Sequence, residues 1–158
     1  MKIKHIEKSG YKYLTSGKGS PVVILHGLMG GLGNFEGFIS HFSRIGFQIF
    51  MPELPIYSSS LSNTNVKFFA EYINKFLKLL SIKKAILVGN SLGGHVALLH
   101  SKLFPNSTKA LVLTGSSGLY ENSMGDTYPK RGDYNFIKKK TQNVFYSPKI
   151  ATKEIVDE

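Results

Sequence analysis

The sequence predicts an α/β domain: a mostly parallel sheet with helices on both faces. Three observations lead there. Strand-like and helix-like runs alternate from Pro21 to Thr114. The runs Pro21-Val22-Val23-Ile24-Leu25 and Ala85-Ile86-Leu87-Val88 are apolar throughout, as strands covered on both faces are. Each of these two runs ends in a glycine-rich turn, His26-Gly27-Leu28-Met29-Gly30-Gly31 or Gly89-Asn90-Ser91-Leu92-Gly93. Parallel sheets bind their ligands at the carboxyl ends of the strands, which is where both turns fall.

The elements follow in order. Ile3 to Glu7 and Tyr11 to Thr15 read as two strands joined at Ser9-Gly10, a hairpin signal. Pro21 to His26 is a buried strand. Asn34 to Ile45 reads as a helix with Phe35, Phe38, Ile39 and Phe42 on one face and Gly46 as its stop. Phe47 to Met51 is a strand closed by Pro52, and Glu53 to Asn63 a loop rich in Pro and Ser. Asn65 to Leu80 gives the clearest helix. Its apolar residues Val66, Phe69, Ile73, Phe76, Leu77 and Leu80 recur at three and four, and Asn63 or Thr64 would cap it. The Ala85 strand comes next, then a helix from Gly94 to Phe104 ended by Pro105, then a sixth strand from Leu111 to Thr114. Beyond Leu119 the chain turns polar. Tyr134 to Tyr146 and Pro148 to Glu158 read as two short helices. The resulting division is a core over residues 1–118 and a helical segment over 119–158.

The turn around Ser91 carries the chemistry. Only small residues fit beside a serine on a tight strand-to-helix turn, and Gly89 and Gly93 stand where that space is needed. The strain of the turn pushes the Ser91 hydroxyl out at the end of its strand. Strand, Gly-x-Ser-x-Gly and helix form a nucleophile elbow. With this motif and the earlier His26-Gly27 turn in the same order, the chain resembles the α/β-hydrolase family from about Pro21 to Gly118. The resemblance implies that Ser91 is the nucleophile. It implies that the Leu92 N–H, with that of Leu28 or Met29, forms the oxyanion hole, and that a helical cap begins after the sixth strand. His26 and Gly27 then belong to the structure of the oxyanion loop, His26 holding it by side-chain hydrogen bonds. The wording Gly-Asn-Ser-x-Gly-Gly is also similar to the branch that cleaves carbon–carbon bonds in ring-fission products.

A serine needs a base, and the family order is Ser, then Asp or Glu, then His. Glu121 and Asp126 follow the sixth strand and are candidates for the acid, with Glu121 the nearer one. None of the five histidines, His5, His26, His41, His95 and His100, follows the elbow in a loop after a later strand. His95 sits one turn from Ser91, with its side chain expected to leave the helix away from the site. Glu53 is expected to tie its own loop rather than serve the triad. The chain stops at Val156-Asp157-Glu158 inside a helical pattern. We therefore expect a fold truncated after its sixth strand, with the triad histidine outside this chain and Leu111 to Thr114 left as a naked apolar edge prone to self-association.

Composition narrows the classes further. The 158 residues are 42% hydrophobic, enough for one core, and contain no cysteine, so thiolate chemistry and disulfides are out. No signal-peptide core and no membrane-length apolar run are present, which makes the cytoplasm the default location. The net charge of +10 comes from scattered lysines; only Lys138-Lys139-Lys140 is a run, and no nucleic-acid motif accompanies it. No metal-binding or phosphate-binding motif occurs, so no cofactor is expected. The expected partner is a small, mostly apolar carbonyl substrate, an ester or an activated C–C bond. The alternative is a non-catalytic binding module on the same scaffold.

Overall fold

The computed structural model describes residues 2–28, 30–56, 65–119 and 133–144, together with 147, 149, 152 and 153. Backbone contacts divide the chain into two units, Met1–Glu121 and Asn122–Glu158. In the first unit, β1 (Lys4–Lys8) and β2 (Tyr11–Gly17) form the expected antiparallel hairpin. β3 (Ser20–Leu25), β4 (Phe47–Pro52), β5 (Ala85–Asn90) and β6 (Thr108–Thr114) are parallel to one another. The sheet order is β1-β2-β4-β3-β5-β6.

Helices cover both faces, because the buried strand residues alternate between them. On one face Val23, Leu25, Phe50 and Leu87 pack with Phe69, Ile73 and Phe76 of α2 (Val66–Leu79) and Val96 and Ala97 of α3 (Leu92–Leu103). On the other, Val22, Ile24, Ile49 and Val88 pack with Ile39 of α1 (Glu36–Phe42). Neighbouring residues of β3 thus face opposite helices, which requires the uninterrupted apolar run read from the sequence. Among the described residues, no helix is long and apolar enough to cross a membrane.

Several boundaries differ from those expected. The first helix is shorter than Asn34 to Ile45. Leu32–Phe35 is a 3-10 turn, and α1 ends at Phe42. The cause lies in the three-residue hydrogen bonds from Arg44 N–H to His41 O and Ile45 N–H to Phe42 O, which tighten the chain into Gly46 at φ 93°. The cap of α2 is Asn65, not Asn63 or Thr64: its side-chain oxygen accepts the Phe68 N–H at 2.9 Å. α3 begins at Leu92 rather than Gly94, because the Ser91 carbonyl already accepts the Gly94 N–H at 3.0 Å. β6 starts at Thr108, three residues before the apolar run. In the second unit, α4 spans Tyr134–Val144. The helix expected over Pro148 to Glu158 lies almost wholly outside the described residues.

The strand order fixes where a site forms. From β3 the chain crosses through α1 to β4 on one side, then returns through α2 to β5 on the other. The carboxyl ends of β3 and β5 therefore flank a topological switch point, the crevice where open α/β sheets bind ligands. Leu25 and Gly89 pair at that end. The turns that follow them hold His26-Gly27-Leu28 and Asn90-Ser91-Leu92.

Candidate active site

Ser91 occupies the sharp turn between β5 and α3 with φ 51° and ψ −119°. A non-glycine residue there carries strain of about 1–3 kcal/mol, held by the surrounding structure. The side chain is exposed, at the carboxyl end of the sheet. The two motif glycines are forced by contact. A Cβ on Gly89 would lie 2.6 Å from the Gly93 carbonyl oxygen and 2.6 Å from the Gly94 Cα. A Cβ on Gly93 would overlap the Leu25 carbonyl and come within 2.8 Å of the His26 carbonyl. Gly93 therefore lets the elbow seat directly on the backbone leaving β3. Gly27 closes the same contact from the other side: its absent Cβ would stand 3.1 Å from the Ser91 Cβ.

His26 braces this turn with both ring nitrogens. Nδ1 lies 2.8 Å from the Gly27 carbonyl, and Nε2 accepts the Leu54 N–H at 3.1 Å. A carbonyl needs a donor and an N–H needs an acceptor, so the partners assign a neutral ring protonated at Nδ1. The lone pair that a general base would use is already taken. The bond to Leu54 also ties the turn after β3 to the loop after β4. Leu28, the next residue along, is 54% exposed in the turn closed by Gly30 N–H to Gly27 O at 3.2 Å. Met29 and Glu121 lie outside the described residues. Leu92 opens α3, where helix geometry leaves the first N–H groups without intrahelical acceptors.

The remaining titratable candidates go elsewhere. His95 lies against the loop after β6, where a Cβ on Gly118 would fall 2.6 Å from its Cγ. His100 is fully buried beside Phe104, 3.4 Å from the Thr108 hydroxyl through Nδ1. Burial pushes its pKa down to about 4. His41 and His5 are exposed on α1 and β1. Among the described residues, no histidine hydrogen-bonds to the Ser91 hydroxyl. Glu53 ties its loop through its backbone: its N–H donates to the Lys12 carbonyl at 2.9 Å, and its carbonyl accepts the Tyr72 hydroxyl at 3.2 Å. Burial first, then the Tyr11 and Glu53 charges, push the Tyr72 pKa up to about 12, which keeps that donor protonated. A cleft of about 640 Å³ opens beside the turn after β3, lined by His26, Leu28, Gly30, Glu53 and Leu54; Ser91 is not among its lining residues.

The sequence reading missed the residues behind Ser91. The Asn90 side-chain amide donates to the Thr114 carbonyl at 2.9 Å and the Thr114 hydroxyl at 3.2 Å. The Ser91 N–H donates to the Thr114 carbonyl at 3.2 Å. The Ser117 hydroxyl donates to the Ser91 carbonyl at 3.3 Å. The available signal was placement: Thr114 and Ser117 fall where β6 ends, beside the end of β5.

Known proteins share this fold. The family model for the alpha/beta hydrolase fold matches residues 20–147. A 2-hydroxy-6-oxononadienedioate/2-hydroxy-6-oxononatrienedioate hydrolase of Comamonas testosteroni is 32% identical over 124 residues, 74% of this chain and 43% of that protein. A 2-hydroxy-6-oxo-6-phenylhexa-2,4-dienoate hydrolase of Burkholderia cepacia is 32% identical over 66% of this chain and 39% of its own length. An alpha/beta hydrolase enzyme from the metagenome of Mar Chica lagoon sediments has a solved structure with TM-score 0.72 and 51% identity. The match covers 75% of this chain and 54% of that one. The chain thus spans less than half the length of these two curated relatives. Its matching residues include β3, the elbow and α3, and the chain belongs to the α/β-hydrolase family.

Proposed function

We propose that this chain carries the nucleophile and the oxyanion hole of a serine hydrolase acting on a small, mostly apolar carbonyl substrate, an ester or an activated C–C bond. The Ser91 oxygen attacks the carbonyl carbon and gives up its proton to a base. The new oxyanion is held by the N–H groups of Leu92 and of Leu28 or Met29. Collapse of the tetrahedral intermediate expels the leaving group, which takes up the proton, and water later frees the acyl group. Two fixed N–H donors of this kind contribute several kcal/mol to the barrier reduction. The strained backbone of Ser91 is the observation that carries this reading, since strain of that kind persists where function uses it. The apolar substrate is supported by Leu28 and Leu119, which are 54% and 64% exposed in turns at the carboxyl ends of β3 and β6.

The base is a histidine outside the described residues, with Glu121 as the acid candidate, so the 158-residue chain alone turns over slowly or not at all. We place the protein in the cytoplasm. A second reading has one observation behind it: with His26 engaged at both nitrogens and no histidine on Ser91 among the described residues, the scaffold would bind a substrate-like molecule without cleaving it.

Intact mass before and after a fluorophosphonate tests whether Ser91 is activated within these 158 residues. A single adduct that disappears in Ser91→Ala is the result expected of an activated serine, and it overturns the binding module. Absence of any adduct on the intact chain overturns activation within this chain and leaves an elbow without its base, either the front part of a hydrolase or a binding module.

A further inference from the structure

Among the described residues the Ser91 carbonyl accepts four donors, and two of them come from its own helix. Gly94 N–H and His95 N–H reach it at 3.0 and 3.3 Å from α3. The other two belong to Ser117, whose N–H and hydroxyl reach it at 3.2 and 3.3 Å from the loop after β6. The Ser91 N–H is held by the same region, through the Thr114 carbonyl at 3.2 Å. Both polar groups of the nucleophile's backbone are thus clamped by the end of β6, on either side of the Cα that adopts φ 51°.

A residue in that conformation relaxes unless its neighbours over-determine it. The α3 bonds alone do not do so, because they fix the carbonyl and leave the N–H free to turn. The clamp from β6 fixes both. Within it the Ser117 hydroxyl is the one side-chain donor on the Ser91 carbonyl among the described residues. We infer that Ser117 is a positioning residue: it anchors the Ser91 carbonyl and thereby aims the Ser91 hydroxyl. The inference rests on Ser91 being the nucleophile for its catalytic meaning, and on the hydrogen bonds alone for its structural one.

The test combines amide hydrogen exchange with labelling on the full 158-residue chain, as wild type, Ser117→Ala and Ser117→Thr. Loss of the hydroxyl should speed exchange of the Ser91 and Ser117 amides about fivefold, the effect of one ordinary hydrogen bond, with β2 to β4 amides unchanged. Threonine keeps a hydroxyl at the same atom and should restore slow exchange. Where the wild type takes up fluorophosphonate, the labelling rate should fall by a similar factor in Ser117→Ala and recover in Ser117→Thr. Unchanged Ser91 exchange in Ser117→Ala overturns the inference. So does acceleration spread evenly over the sheet, which would mean general destabilisation. A wild type that takes no label yet shows the local, threonine-rescued exchange change supports the clamp while overturning the activation of Ser91.

Discussion

His100 shows how a single residue ties this fold to pH. It lies on the buried side of α3 with Val96 and Ala97, and its Nε2 has no hydrogen-bond partner among the described residues. Burial lowers its folded pKa from 6.5 to about 4, so the fold favours the neutral ring. Between those values the unfolded chain binds more protons than the folded one. The stability His100 contributes is therefore complete above pH 6.5 and is lost as pH falls toward 4. The thermal midpoint should be lower at pH 5 than at pH 7 in the wild type by the equivalent of about 2 kcal/mol. His100→Leu should flatten that window, and an equal slope in both proteins would show that other groups set it. At this scale the sequence was partly legible. Ser91, Gly89 and Gly93 could be read because steric need confines the motif to one short turn. Asn90, Thr114 and Ser117 could not, because their hydrogen bonds cross 24 to 26 residues and leave no local pattern. His95, one turn after Ser91, packs its ring against Gly118 in the loop after β6.

Elements were legible where one periodicity ran uninterrupted. α2 buries Phe69, Ala70, Ile73, Phe76 and Leu77 on a single face, and its spacing at three and four marked it. Its cap was misplaced because Asn63, Thr64 and Asn65 all suit that role by type, and only the extended backbone of Asn65 (φ −137°, ψ 162°) decides among them. Asn65→Ala should cost about 1 kcal/mol, seen as a lower urea midpoint with an unchanged slope. A null effect would mean that the bond to Phe68 is matched by water. β6 was read too short for a different reason. Lys109 and Ala110 carry no strand signal of their own; Thr108 and Ala110 pair with β5, and Lys109 is the extra residue at the register shift at Ala85/Ile86. α1 was read too long because Phe35 shares its apolar stripe from the 3-10 turn, and because the turn into Gly46 ends the helix at Phe42.

At the scale of the whole molecule, the two edges of the sheet are unlike. β1 exposes His5 and the charges of Lys4, Glu7 and Lys8, which guard an edge against pairing. β6 exposes Leu111 and Val112, which point to opposite faces, and has a single charge, Lys109. A strand apolar on both faces suits the interior of a parallel sheet, and here it is the last of six in the described residues. We therefore expect edge-to-edge contact at β6 and not at β1. Pairing of two copies through one edge closes at a dimer instead of running on into a filament. The net charge of +10 works against that contact, so it should strengthen as salt screens the repulsion. Sedimentation of the 158-residue chain should show concentration-dependent association that rises from low to moderate salt. Val112→Lys sets a charge on the unguarded edge without touching the core, and it should shift the population toward monomer while leaving the thermal midpoint nearly unchanged. A wild type that stays monomeric at every concentration and salt level would mean that β6 is protected in some other way. Larger species that persist in Val112→Lys would place the contact away from β6.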